Sequence, residues 1–195
     1  MTIARYRTEG IALSIAILVT DQIAKFVVAG PLALKSRIQI EITSFFNLTW
    51  AENRGVSMGF LTAETDTARW LLVALTGLIA MVVLLWMWKE RARGDIIALG
   101  MILGGALGNI IDRARLGYVV DYADLHFGEF RPFMIFNIAD AAITLGVLLL
   151  LARVLIIGDK SGKSRDTETL APTSGVQAGG TSDMAPAAKT ENDHV

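Results

Sequence analysis

Seven polar residues stand in or beside stretches of chain that are otherwise apolar: Asp21, Asn109, Asp112, Arg113, Asp121, Asn137 and Asp140. Ionisable groups near hydrocarbon are costly, so by default they face the interior of a helix bundle or a water-filled cavity. Two carboxylates held at one depth have a defined chemical use. When they approach closely they cannot both ionise easily, and one keeps a proton. The charged member can then take a proton from water while the neutral one polarises a carbonyl, the arrangement of an aspartic protease. No other nucleophile competes, because the chain has no cysteine and His126 has no evident base and orienting partner. The two histidines, His126 and His194, are too few for a histidine zinc site, so neither metal nor cofactor is expected.

Elements able to hold such residues follow from composition. Of 195 residues, 53% are hydrophobic and 19% charged, where a soluble domain carries about 25% charged residues. Mean hydropathy is +0.49. A soluble domain of this size could not bury so much apolar side chain, whereas lipid can cover it. The net charge of −1 gives no reason to expect a nucleic-acid partner.

Four apolar spans are expected, over residues 10–29, 70–88, 96–111 and 133–157. The second contains no charged residue and suffices to cross ~30 Å of hydrocarbon, with Trp70, Trp86 and Trp88 near its ends. The first carries Asp21 and Lys25 four residues apart, on one helical face; its length and the lack of a small-residue site argue against a cleavable signal peptide. Gly100, Gly104 and Gly108 form a small-residue stripe on the third span, which lets a neighbouring helix approach. A wall of such glycines could also admit the backbone of a peptide. The fourth holds Asn137 and Asp140, with Asp140 expected two turns inside. The spans lack the alternation of barrel strands. The fold class is therefore mainly α, with four transmembrane helices and a small extracytoplasmic β-containing segment.

Basic residues set the expected orientation. Arg5 and Arg7 precede the first span, Lys89, Arg91 and Arg93 fill the short link between the second and third, and Arg153, Lys160, Lys163 and Arg165 end the fourth. By the positive-inside rule these lie in the cytoplasm, with both termini. Residues 30–69 and 112–132 are then the outer segments. A small sheet is expected in the first, from the alternation over 37–43 and the run 45–50. Residues 1–157 make the membrane domain, and 158–195 read as a disordered cytoplasmic tail. This topology brings Asp121 and Asp140 together near the outer surface.

Other readings of these residues stay open at this point. Asp21 and Lys25 could be a structural ion pair, Asp112 and Arg113 a solvated helix end, Asp121 and Asp140 a helix-end carboxylate and a packing contact, and Asn109 and Asn137 interhelical hydrogen bonds. The residues alone admit a membrane enzyme, a small transporter or channel subunit using the carboxylates as a relay, or a structural subunit associating through its glycines.

The segments Asp21-Gln-Ile-Ala-Lys25, Asn53-Arg-Gly55, Gly104-Gly-Ala-Leu-Gly-Asn-Ile-Ile-Asp-Arg113, Gly117-Tyr-Val-Val-Asp121 and Phe136-Asn-Ile-Ala-Asp140 occur in an order that resembles lipoprotein signal peptidase, the bacterial type II signal peptidase. The resemblance spans residues 10–157. It implies that Asp121 and Asp140 are catalytic and that Asn53, Gly105, Asn109, Arg113 and Asn137 bind substrate or orient the pair. Asp21, Lys25 and Asp112 would be structural polar residues. The implied substrate is a prolipoprotein bearing a diacylglyceryl-modified cysteine, cut before that cysteine by a monomer in the inner membrane, near its outer face. One departure follows Gly55, where Val-Ser-Met-Gly replaces an expected small-residue-then-Phe pattern.

Overall fold

A computed structural model of the chain describes residues 3–55 and 66–168. The segment Val-Ser-Met-Gly after Gly55 and residues 169–195 of the expected tail lie outside the described residues. The chain divides into two units, Met1–Gly158 and Asp159–Val195; the sheet and the apolar lengths of the helices all belong to the first. The elements are α1 (Ile3–Ala29), the single turn α2 (Leu34–Arg37), β1 (Gln39–Thr43), β2 (Phe46–Asn53), α3 (Asp66–Lys89), α4 (Arg93–Leu116), β3 (Val119–Leu125) and α5 (Ile138–Glu168). Among the described residues four helices are long and apolar enough to cross a membrane: α1, α3, α4 and the part of α5 from Ile138 to Ile156.

α4 is the centre of the bundle, and its glycines explain why. A Cβ on Gly100 would lie 2.6 Å from the carbonyl oxygen of Gly10, one on Gly104 2.5 Å from that of Ser14, and one on Gly108 2.6 Å from Asp21 Oδ2. The contacts climb both helices together, so α1 lies parallel against the stripe. On another side, Gly105 meets the backbone of Ala139, and a Cβ on Gly146 would lie 2.7 Å from the carbonyl of Ala98, so α5 runs antiparallel to α4. The glycine wall therefore receives the protein's own helices. It is not free for a peptide backbone, which corrects that expectation. α3 covers a third side through Ala80, Met87, Ile96, Leu99 and Leu103. Leu71, Leu75, Leu78, Val82 and Leu85, at helical spacing on α3, are exposed, as a stripe facing lipid would be.

Above the bundle lies an antiparallel sheet of order β1-β2-β3. The first outer segment supplies its hairpin, as the alternation predicts. Its third strand comes from the second outer segment. β3 lies against β2 with Ala51 opposite Asp121. Val120, Tyr122 and Ala123 pack with Val28 and Leu34 beneath the sheet. Gly117, at φ 84°, closes α4 by returning its N–H to the carbonyl of Arg113, a left-handed cap that suits glycine.

The fourth span departs from its expected start. Residues 133–136 are not helical, because Phe136 pairs with Ala123 on the open edge of β3. Its backbone donors and acceptors are committed there, and the helix starts only after Asn137. Asp140 consequently lies in the first turn of α5, not two turns inside.

Candidate active site

Asp121 projects from β3 and is buried, at 3% exposure. Asp140 is half-buried at the start of α5. Asn137 joins them. Its Oδ1 accepts the N–H of Asp140 at 2.9 Å, while Asp140 Oδ2 accepts the N–H of Asn137 at 3.3 Å. This reciprocal pairing is that of a capping box, and it fixes where the helix starts. The Asn137 Nδ2 group donates to Asp121 Oδ1 at 2.6 Å and to the carbonyl of Val120 at 3.3 Å. From α4, Asn109 Nδ2 donates to Asp140 Oδ1 at 2.8 Å. Both carboxylates are therefore aimed by neutral amide donors carried on neighbouring elements.

A second cluster lies beside this one. Lys25 Nζ is 2.8 Å from Asp21 Oδ2 and 2.8 Å from Asp112 Oδ2, with all three side chains nearly excluded from solvent. Gln22 Nε2 adds a hydrogen bond to Asp112 Oδ1 at 3.0 Å. The structure thus brings Asp21, Lys25 and Asp112 together as an internal ion cluster.

Asp121 and Asp140 open on one cavity of about 870 Å³, whose wall also includes Asn53, Arg54, Arg131 and Phe136. An apolar groove of about 290 Å³ adjoins it along Phe133, Met134, Ala141 and Leu145 and also reaches Asp140. Burial and, after it, the negative charge of Asp140 push Asp121 up to about 6, against the side-chain amides of Asn53 and Asn137, which hold it down. At the rim, hydrogen bonds from Lys35 and Arg54 pull Glu52 down to about 2.

The remaining sequence-derived candidates divide. Asn53 is exposed on the cavity wall, where its Oδ1 also accepts the N–H of Gly55 at 3.1 Å. Among the described residues Arg113 closes no ion pair with Asp121 or Asp140, and its Nε is buried without a hydrogen-bond partner, within the field of both carboxylates. Gly105 does not line the cavity and packs on Ala139, so it acts at one remove, by letting α4 approach the turn that holds Asp140. Sequence reasoning missed Asp124. It is 1% exposed, accepts the Thr49 hydroxyl at 3.1 Å and pairs with Arg131 at 3.5 Å, so it holds a residue of the cavity wall. The one signal that could have found it was a second carboxylate three residues after Asp121.

These features make the chain a multi-pass membrane protein with a carboxylate pair opening on a cavity at one end of its helix bundle. The family described as Signal peptidase (SPase) II matches residues 13–156. The chain is 58% identical over 159 residues to the lipoprotein signal peptidase of Sphingopyxis alaskensis, covering 82% of this chain and 92% of that protein. With the lipoprotein signal peptidase of Rhizorhabdus wittichii it is 55% identical over 152 residues, 78% of this chain and 88% of the other. A bacterial membrane enzyme solved by the in meso method at 2.3 Å resolution superposes with a TM-score of 0.66 at 26% identity, over 87% of this chain and 95% of that one. The chain belongs to the signal peptidase II family, and it is a membrane peptidase.

Proposed function

We propose that this peptidase removes the signal peptide from diacylglyceryl-modified prolipoproteins, cutting before the lipidated cysteine, with Asp121 and Asp140 as the catalytic pair. The observation that carries the reading is that these two carboxylates share a cavity and meet neutral donors rather than a cation, unlike Asp21 and Asp112 beside them. Family membership supplies the reaction class. The apolar groove adjoining Asp140 suits acyl chains that must stay in lipid while the peptide bond enters the cavity.

Asp121 holds the shared proton, because burial and the neighbouring charge favour its neutral form. Asp140, held by the N–H groups of Asn109 and Asn137, is the charged member. A water between them gives a proton to Asp140 as its oxygen bonds the scissile carbonyl carbon, and Asp121 passes its own proton to the carbonyl oxygen. Collapse of the tetrahedral intermediate breaks the C–N bond. The cysteine nitrogen leaves with the proton from Asp140, and Asp121 recovers its proton as the carbonyl reforms, so no covalent intermediate arises. Asn53 on the cavity wall holds the substrate backbone, and Arg113 acts on the pair through its charge. The enzyme acts as a monomer, with both termini in the cytoplasm and the cavity at the outer face of the inner membrane. The basic residues before α1, between α3 and α4, and towards the end of α5 support that orientation.

Mass analysis of the products tests the substrate and the position of cleavage. Purified protein should release a lipoprotein beginning at the modified cysteine and leave the unmodified precursor intact. Equal cleavage of both precursors, or cleavage elsewhere, contradicts the reading.

A further inference from the structure

The internal ion cluster reaches the proposed catalytic pair along three arms that start at one atom. Lys25 is 4% exposed. Its ammonium has three N–H groups and no acceptor. All three have partners, at 2.8 Å on Asp21 Oδ2, 2.8 Å on Asp112 Oδ2 and 3.1 Å on Asn109 Oδ1. Asp21 Oδ1 accepts the N–H of Ala139, the residue before Asp140, at 3.0 Å. Asp112 Oδ2 accepts the N–H of Val120, the residue before Asp121, at 3.2 Å. The backbone immediately ahead of each dyad carboxylate is therefore gripped by one of the two acids that Lys25 pairs.

The third arm concerns the Asn109 amide. Its two ends have nearly the same shape, and only the neighbours decide which way it points. Lys25 can only donate, so Asn109 must offer it Oδ1, and Nδ2 is thereby turned to Asp140 Oδ1. Asn137 Nδ2, 3.4 Å from the same Oδ1, favours that orientation more weakly. Without the ammonium the amide can turn over and present an oxygen to a carboxylate, which repels it and moves it out of line. The charged groups that face Lys25 are Asp21 on α1, Asp112 on α4 and Asp121 on β3.

We propose that Lys25 is a positioning residue for the peptidase reaction: by pairing Asp21 with Asp112 and fixing the Asn109 amide, it aims both catalytic carboxylates. This rests on the dyad reading above. Lys25→Met is the direct test, but it leaves buried acids unpaired. The triple variant Asp21→Asn, Lys25→Met, Asp112→Asn avoids this, since each asparagine keeps an oxygen for the backbone N–H while the ammonium is gone. The full chain in detergent micelles is assayed for thermal unfolding and for kcat and KM on a diacylglyceryl-modified prolipoprotein. The folded triple variant is expected to lose roughly 100-fold in kcat, the cost of a misplacement of about 1 Å, with KM within about threefold of wild type. A merely structural lysine would lower the unfolding temperature and leave kcat of the folded fraction alone. Folded protein with kcat within about threefold of wild type overturns the proposal, as does failure of both variants to fold. Wild type that does not cleave would instead sink the dyad reading itself.

Discussion

Two sets of acids lie side by side at one end of this bundle and live in opposite ways. Asp21 and Asp112 share an ammonium and are closed off from solvent. Asp121 and Asp140 receive amide donors and open on a cavity. A carboxylate held by a buried cation is committed to its charge, because removing either partner strands the other. A carboxylate held by neutral donors next to a like charge stays free to change its proton. In the proposed mechanism the first set builds the frame and the second does the chemistry, and the difference between them is the partner.

Exchanging the roles should therefore give opposite signatures. Asp140→Asn should cost about 10⁴-fold or more in cleavage while the unfolding temperature stays near that of wild type, because the asparagine keeps one oxygen for Asn109 Nδ2 and its backbone N–H still donates to Asn137 Oδ1. Asp112→Ala should do the reverse in kind: Lys25 keeps Asp21, but the buried N–H of Val120 loses its acceptor, destabilising the fold by about 1–3 kcal/mol; thermal or denaturant unfolding in micelles measures it. A stable, fully folded Asp112→Ala protein would erase the distinction.

Asp121 extends the contrast through pH. Its carboxyl is raised from the ordinary 3.8 to about 6 in the folded protein. Between about pH 4 and 6 the native state holds a proton that the unfolded chain has released, so this group weakens folding as pH rises through that window. Asp121→Asn removes the liability. It should stabilise the protein by about 2–3 kcal/mol at pH 7–8, a gain that fades towards pH 4. The same ionisation should appear in wild type as a fall in kcat/KM above about pH 6, as the free enzyme loses the proton that Asp121 donates. The smallest effect belongs to the rim. Glu52 pairs with Lys35 and Arg54, whose side chains are more than half exposed, so Glu52→Gln should change stability by no more than about 1 kcal/mol.

Much of this was legible in the sequence for physical reasons. Unbroken apolar runs can only be satisfied as helices in lipid, so four spans followed from hydropathy. The cost of acids near hydrocarbon singled out Asp121, Asp140, Asp21 and Asp112. Three features were not legible. β3 is buried on both faces and so lacks the polar–apolar alternation that marks a strand, and its pairing with β2 joins residues some seventy positions apart. The start of α5 depends on Phe136 lying against that strand, so the run 133–136 read as helix. The link from Lys25 through Asn109 to Asp140 exists only because the glycine stripe of α4 accepts α1, and a sequence shows the stripe without showing what fills it.

Whether Asp121 and Asp140 act as one unit is decided by single and double substitution. Asp121→Asn, Asp140→Asn and the double variant would be purified as folded proteins and their processing of a diacylglyceryl-modified prolipoprotein compared with wild type. Each single change is expected to abolish cleavage to about the level of the double, because half of a shared-proton pair has no function. A folded single variant that keeps activity within about tenfold of wild type would contradict a shared-proton dyad.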